Sequence, residues 1–173
     1  MIRQPFSNAT KAYKTHTTVK GAVIKASDYD LGRNGFAYYD QDTANYRVSG
    51  KPGAGNKGST YRNDGVDIYK EDQSEDVYVG SIETGEWLQY TIRVKRNRQA
   101  TIALWLSTAK PGGKVMLSDA DKTFAVSVDV PVTGAETNWQ PVLLKNIKLK
   151  KGVQKLVITC VNGGYNFKEI RFE

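Results

Sequence analysis

Three acidic side chains could carry general acid–base chemistry, namely Glu83, Glu86 and Asp119. Catalysis of this kind needs two carboxyl groups held about 5–9 Å apart. Nothing in the spacing of the three residues selects a pair, and acids in turns and on strand faces are ordinarily solvated. Since the chain holds one histidine and one cysteine, a zinc site built from the usual nitrogen and sulfur ligands is nearly excluded.

Basic residues dominate the charge of the chain, which has a formal net charge of +7. Lysines crowd around the turn at residues 150–152, and they are Lys145, Lys148, Lys150, Lys151 and Lys155. A basic turn is ordinarily a solvated tip that aids solubility; the alternative is a surface that attracts polyanions, nucleic acid among them. No apolar run approaches the ~20 residues of a membrane span, so we expect no membrane partner.

The elements that must position these residues are strands. Residues 87–94 alternate strictly, with Leu88, Tyr90, Ile92 and Val94 on one face, and this period of two is typical of a half-buried strand. Similar segments recur between glycine-rich turns, and they predict an all-β sandwich of two antiparallel sheets with roughly nine short strands. Cys160 stands in an apolar run and is predicted to be a core residue.

Domain organisation follows from where this pattern begins. We interpret residues 1–20 as a linker or N-terminal arm and residues 21–173 as one β-sandwich domain. The stretch from residue 41 to residue 63 is long, polar and glycine-rich, and such loops are usually functional or disordered. Tyr46 and Tyr61 lie on it; both could contact a ligand, although packing of the loop is the more ordinary role.

Seven short motifs in register resemble the family 6 carbohydrate-binding modules. As they stand in this sequence they are IKASDYD at 24–30, AYYD at 37–40, YRNDGVDI at 61–68, VGSI at 79–82, GEWLQYT at 85–91, TG at 133–134 with WQ at 139–140, and GGYN at 163–166. The resemblance covers about residues 22–173. It implies a jelly-roll β-sandwich that binds sugar without chemistry, usually appended to secreted enzymes that degrade polysaccharides.

The resemblance implies a first ligand site in loops at an edge of the sandwich. A pyranose has apolar C–H faces and a belt of hydroxyl groups, so a flat ring covers the face while amide or carboxylate groups read the belt. The residues on the family's motif positions are Tyr39, Ser81, Trp139, Tyr165 and Asn166. Ser81 stands where the family usually has Tyr or Trp. We expect Tyr39 or Tyr61 to supply the missing ring, or the cleft to be weakened.

A second site is implied on the concave face of one sheet. Trp87 matches the family's tryptophan there, and Asp119 falls on its acidic residue. Because Trp105 alternates with Ile102, Leu104 and Leu106, it should also face outward, and two tryptophans on neighbouring strands would form a platform. The alternative is that the N-terminal arm or the long loop covers them.

The family often holds a structural calcium ion with oxygen ligands. The corresponding positions here are Lys25, Ser27 and Lys168. Lysine offers no oxygen and carries positive charge, so it cannot join a hard-cation site. We therefore predict that this chain has no calcium there and no other cofactor, the ammonium groups taking over the electrostatic role of the ion.

The leading hypothesis is thus a non-catalytic module that binds a polysaccharide or oligosaccharide and is covalently linked to a glycoside hydrolase or lyase. The basic surface favours an acidic or sulfated glycan. We expect a secreted, cell-surface or periplasmic monomer with no nucleic-acid partner. The alternatives are a small glycoside hydrolase or lyase using a pair among Glu83, Glu86 and Asp119, and a nucleic-acid-binding module using the basic turn.

Overall fold

A computed structural model describes residues 8–41, 57–58, 60–62 and 64–173. The described residues form twelve strands and one short 3₁₀ helix at Ala26–Asp28. The strands are β1 His16–Thr17, β2 Val23–Lys25, β3 Tyr38–Tyr39, β4 Ile68–Lys70, β5 Val77–Val79, β6 Trp87–Val94, β7 Arg98–Ser107, β8 Lys114–Asp119, β9 Ala125–Asp129, β10 Gln140–Leu149, β11 Gly152–Asn162 and β12 Asn166–Phe172. The all-β prediction is confirmed, and the strands outnumber the expected nine because several have only two or three residues. Tyr46 lies outside the described residues.

The strands form two six-stranded sheets. The first sheet has the order β1-β6-β11-β8-β9, with β3 also paired to β6; the second has the order β10-β7-β12-β5-β4, with β2 paired to β12. All pairings are antiparallel except β1 with β6, where His16 lies opposite Ile92 in a parallel register. The predicted antiparallel sandwich is therefore correct apart from this short edge strand.

The core lies between the two sheets and follows the alternation of the strands. From β6, Leu88, Tyr90, Ile92 and Val94 are buried, and from β7 the inward side chains include Leu104. Tyr90 meets Phe167 of the opposite sheet edge-on at 6.5 Å between ring centroids, and its hydroxyl donates to the Ala26 carbonyl at 2.7 Å. Burying one such side chain contributes about 1.5–3 kcal/mol. The ring contact and the hydrogen bond of Tyr90 together hold the two sheets against each other.

The single cysteine belongs to this core, as predicted. Cys160 is 2% exposed, and burial raises the pKa of its thiol to about 11. Because the thiolate is the reactive form, we expect the native protein to react with a thiol reagent at pH 8 at least about 100-fold more slowly than the urea-unfolded chain. Equal rates in the two states, measured by the release of a coloured thiolate, would contradict the buried placement.

The part of the N-terminal segment that the structure describes lies against the first sheet. Lys11 and Leu31 form a β-bridge, and the Thr18 N–H donates to the Arg93 carbonyl at 3.0 Å. The Lys155 ammonium group donates to the Thr10 hydroxyl at 2.7 Å. Since Lys155 lies on the outer face of β11, the segment crosses that face near the middle of the sheet.

A guanidinium group anchors the segment that leads into β4. Arg62 donates to the backbone carbonyls of Ser27, Tyr29 and Asp30 and pairs with Asp64 at 2.8 Å. Its guanidinium carbon also lies 3.5 Å from the centroid of the Tyr29 ring. Arg62 therefore ties the residues after β2 to the approach of β4, which carries one wall of the site described next.

Candidate functional site

A cleft of ≈ 390 Å³ opens at the end of the sandwich where β7 ends and β12 begins. We call it the loop cleft, and the residues that define it here are Tyr69, Tyr78, Ser81, Lys110, Glu136 and Asn166. They come from the β4–β5 hairpin, from the loops after β5, β7 and β9, and from the first residue of β12. Its volume falls within the about 300–1,000 Å³ of small-ligand sites.

One wall of the loop cleft is aromatic. Tyr69 and Tyr78 lie opposite each other in the register of β4 and β5, and their rings stack with centroids 5.7 Å apart and 20° between their planes. Trp139 then meets Tyr78 edge-on, at 5.3 Å and 62°. The three rings thus form a contiguous aromatic group, and the predicted Trp139 is part of it.

Sequence reasoning missed both tyrosines of this wall. The signal was present, because Ile68 and Val79 are inward-facing neighbours in strands that alternate, so Tyr69 and Tyr78 had to face outward. Both strands have three residues, which is too short for the alternation to stand out from a loop.

The serine that replaces the family's aromatic residue contacts one of these rings. The Ser81 and Tyr69 hydroxyls form a hydrogen bond of 2.7 Å, so the ring beside Ser81 comes from β4. The expectation that Tyr39 or Tyr61 would supply it is wrong. Tyr39 lies opposite Trp87 in the first sheet, and the Tyr61 hydroxyl bonds to that of Tyr13 at 2.8 Å.

Gly80 lies between the Tyr69 ring and the Asn166 amide. A Cβ atom at this position would lie 2.9 Å from Cδ2 of Tyr69 and 3.0 Å from Oδ1 of Asn166. Contacts below 3.0 Å are essentially absent from real structures, so a side chain here would push the ring and the amide apart. The close approach of Tyr69 and Asn166 depends on the glycine.

Asn166 supplies the fixed polar group of the cleft. Its Nδ2 donates to the Glu136 carbonyl at 2.8 Å, and the Ser107 hydroxyl donates to the same carbonyl. The loop that carries Glu136 is therefore held against β7 and β12. An amide fixed in this way can read hydroxyl groups without first being ordered, which lowers the entropic cost of binding.

The remaining predicted residue of the loop cleft is mainly structural. Tyr165 is 3% exposed and belongs to the core, and burial raises its pKa well above the usual value. Tyr165 also lines the cleft. Of the residues predicted for this cleft, Ser81, Tyr165 and Asn166 line it, and Trp139 is joined to it through the edge contact with Tyr78. Tyr39 lies elsewhere.

Trp139 is held in place by its indole N–H. Nε1 donates to Glu71 Oε1 at 2.6 Å, and the same oxygen accepts from the Lys168 ammonium group at 2.7 Å. The Lys168 nitrogen also lies 5.6 Å from the indole centroid, within the range of a cation–π contact. The ring is therefore preorganised beside Tyr78.

Two of the three positions that correspond to the family's calcium ligands, both of them lysines, form ion pairs. Lys25 lies 2.5 Å and Lys168 lies 3.6 Å from the carboxylate of Asp76. The hydrogen bond between Lys25 and Asp76 is the main cause that raises the lysine pKa and lowers the aspartate pKa. Within the described part of the chain, no group of three or more His, Cys, Asp or Glu residues could hold a metal ion.

The absence of calcium remains a prediction with a direct test. Since an ion that binds only the folded state raises Tm, we expect 5 mM CaCl₂ and 5 mM EDTA to give Tm values within about 1 °C of each other. Magnesium chloride at equal ionic strength is the control for a general salt effect. A rise of several degrees that is specific to calcium contradicts the prediction.

The grouping predicted for the concave face is wrong. Trp87 lies on β6 of the first sheet and Trp105 on β7 of the second, so the two tryptophans cannot form one platform. Trp105 does face outward, with the Arg171 guanidinium carbon 4.1 Å from its ring centroid. What remains on the outer face of the first sheet is Trp87 with Tyr39 directly opposite.

Asp119 also has a different place from the one predicted. It lies opposite the buried Leu156 in the register of β8 and β11, so it shares the inward face, whereas Trp87 faces outward. Its carboxylate accepts from the Thr123 hydroxyl at 2.6 Å and from the Phe124 N–H at 3.2 Å. These bonds close the β8–β9 turn, and Asp119 is a turn-capping residue.

Two of the three candidate acid–base residues, Glu86 and Asp119, have structural hydrogen-bond partners. Glu86 is buried and accepts from the Glu83 N–H at 2.9 Å and the Gln41 N–H at 3.1 Å. Burial is the main cause that raises its pKa. Glu86 therefore holds two loops together, while Glu83 is exposed at the turn and Asp119 closes another.

Comparisons with known proteins agree with this geometry. The family model described as carbohydrate binding module (family 6) matches residues 58–173. A comparison with curated proteins gives no match.

Solved structures share the sandwich. The C-terminal family 6 module of a marine laminarinase from Zobellia galactanivorans is 27% identical with a TM-score of 0.55, over 61% of this chain and 87% of that one. A family 6 module from Clostridium stercorarium in complex with cellobiose is 15% identical with a TM-score of 0.64, over 92% and 97%. A β-1,3-glucan-binding family 6 module from Bacillus halodurans is 17% identical with a TM-score of 0.62, over 92% and 99%. With its aromatic cleft, its sandwich and the matched residues 58–173, the chain belongs to family 6 of the carbohydrate-binding modules.

Proposed function

We propose that this chain binds a polysaccharide or oligosaccharide in the loop cleft and does no chemistry on it. The observation that carries the proposal is the aromatic group of Tyr69, Tyr78 and Trp139 beside the fixed amide of Asn166. Flat rings cover the C–H face of a sugar, and the amide reads its hydroxyl groups. The carboxylates of Glu86 and Asp119 already accept hydrogen bonds from the protein, which supports a binding role over hydrolysis.

The solved relatives support a saccharide ligand. One is described in complex with cellobiose, and another as binding a β-1,3-glucan. Of the three solved structures reported above, the one with the highest sequence identity is the module of a laminarinase. These are properties of those proteins, and they make β-glucans the first neutral polymers to test on this chain.

We further propose that the chain acts as a monomeric accessory module of a secreted, cell-surface or periplasmic glycoside hydrolase or lyase. Family membership supports this role, because tethering a weakly binding module to an enzyme raises the effective concentration of the enzyme at an insoluble substrate. The net charge of +7 supports an acidic or sulfated polymer as the target.

Affinity electrophoresis against neutral, uronic-acid and sulfated polysaccharides tests the proposal. We expect the wild type to be retarded by at least one polymer. Where that polymer is neutral, Trp139→Ala should lose most of the retardation because the aromatic group is interrupted. Trp87→Ala serves as the matched tryptophan control on the outer face of the first sheet. Retardation that Trp139→Ala keeps and Trp87→Ala loses would move the site to that face. Release of reducing ends from any polymer would contradict the non-catalytic role.

A further inference from the structure

A second pocket lies at the other end of the sandwich from the loop cleft. It has a volume of ≈ 420 Å³ and is lined by Thr18, Val19, Lys20, Lys95, Arg96 and Arg98. Strand β7 runs from Arg98 at this end to Ser107 at the loop cleft. Ten residues of β-strand span about 30 Å, so the two sites are separate.

Two basic turns meet beside this pocket. The β6–β7 turn carries Lys95 and Arg96, and the β10–β11 turn carries Lys150 and Lys151. The Lys151 N–H donates to the Asn97 side-chain oxygen at 2.7 Å, which fixes the two turns together. Holding like charges close is unfavourable in the absence of a counter-charge.

The acids that balance lysines elsewhere are missing from this group of residues. Lys25, Lys70 and Lys114 each form an ion pair with a carboxylate. Within the described ranges, no ion pair involves the four basic residues that line the pocket. Glu173, which follows β12 at the same end of the sandwich, donates its backbone N–H to the Thr101 carbonyl at 3.0 Å. It forms no ion pair with any described residue either.

The guanidinium group of Arg98 adds a more specific feature. Its Nε and Nη2 atoms are buried and have no hydrogen-bond partner in the described structure. These two N–H groups form the fork with which arginine binds carboxylate and sulfate-like oxyanions. Buried donors without acceptors are rare in native proteins, and each calls for an explanation. The Arg98 guanidinium carbon lies 5.8 Å from the Phe172 ring centroid, and the neighbouring side chains of Lys95 and Arg96 are exposed.

We propose that this pocket is a second, anion-specific site that binds a sulfate or carboxylate group of an anionic polysaccharide. The inference rests on the proposed function, since it takes the carrier of the anion to be a glycan. Single-stranded nucleic acid fits less well, because its binding sites combine charge with exposed aromatic rings and none of the residues lining the pocket is aromatic. A chain bound at both ends of the sandwich would bind more tightly than at either site alone.

Isothermal titration with defined hexasaccharides tests the site. The probes are a sulfated hexasaccharide, an oligouronate of the same length and a neutral β-glucan hexasaccharide, all at fixed ionic strength. The test variant is Lys95→Gln/Arg98→Gln, and Lys70→Gln/Lys114→Gln removes the same charge from lysines remote from the pocket. If the first variant fails to fold, Lys95→Gln/Arg96→Gln replaces two exposed turn residues instead.

We expect at least one anionic probe to bind the wild type and to bind the pocket variant at least tenfold more weakly. The control variant should bind within about twofold of the wild type, and Trp139→Ala should leave this anionic binding at the pocket in place. Equal losses of affinity for the anionic probe in the pocket variant and the control variant would show diffuse electrostatic attraction and overturn the proposed site. Tighter binding of single-stranded DNA than of either anionic glycan, with the same dependence on Lys95 and Arg98, would overturn the glycan assignment. A wild type that binds an anionic probe but not the neutral hexasaccharide would count against the loop cleft, not against this pocket.

Discussion

Replacing Tyr69 with alanine is expected to weaken polysaccharide binding by about 10- to 100-fold, because covering an apolar surface with one aromatic ring contributes about 1.5–3 kcal/mol. Tyr69 stacks on Tyr78 and bonds to Ser81 at the position where the family usually has its own aromatic residue. The change removes that ring and unties Ser81. The measurement is the dissociation constant for the polymer or oligosaccharide that the wild type retains.

Two matched variants make this result specific. Tyr69→Phe keeps the ring and loses only the 2.7 Å bond to Ser81, so it should bind within about threefold of the wild type. Tyr39→Ala removes a tyrosine outside the loop cleft and should leave binding unchanged. An unaffected Tyr69→Ala variant, or one matched by Tyr39→Ala, would show that the β4–β5 hairpin is not part of the site.

The largest effect on stability is expected for Arg62→Ala, at about 3 kcal/mol, the lower end of the usual cost of breaking a buried ion pair, because Arg62 is buried while Asp64 is partly exposed. The change leaves the carbonyls of Ser27, Tyr29 and Asp30 without this donor, and it also removes the cation above the Tyr29 ring. Buried acceptors that lose their donors are costly. Chemical denaturation of wild type and variant gives the difference in unfolding free energy.

Arg93→Ala is the control for this change. Arg93 is exposed on the outer face of the first sheet, and surface substitutions usually change stability by less than about 0.5 kcal/mol. Because Arg62 anchors the approach to β4, its removal should also weaken ligand binding at temperatures where the variant is still folded. A loss of less than 1 kcal/mol would mean that the loop is held by other contacts.

The sequence predicts the fold better than the grouping of the site residues. The alternation of β6 and the apolar run around Cys160 identify core faces, because a period of two decides which side chains point inward. It does not decide which sheet a strand joins. Trp87 and Trp105 both face outward as expected, but their strands lie in different sheets.

The loop cleft shows a second limit of the sequence. Trp139 and Asn166 were found by motif position, but the ring beside Ser81 comes from Tyr69, twelve residues earlier in the chain. Only the pairing of β4 with β5 brings the two tyrosines together. Sequence position pointed to Tyr39 and Tyr61 instead, and neither belongs to the cleft.

The chain has three tryptophans, Trp87, Trp105 and Trp139, and their indole N–H signals in an ¹H–¹⁵N NMR spectrum report separately on three positions, of which Trp139 is the one in contact with Tyr78 of the loop cleft. Titration with an oligosaccharide of the polymer that the protein retains therefore tests the loop cleft directly. We expect the Trp139 indole and the Asn166 side-chain amide to shift with the same dissociation constant, while the Trp87 and Trp105 signals stay in place. A titration in which Trp87 shifts and Trp139 does not would place the bound sugar on the outer face of the first sheet and contradict the loop cleft.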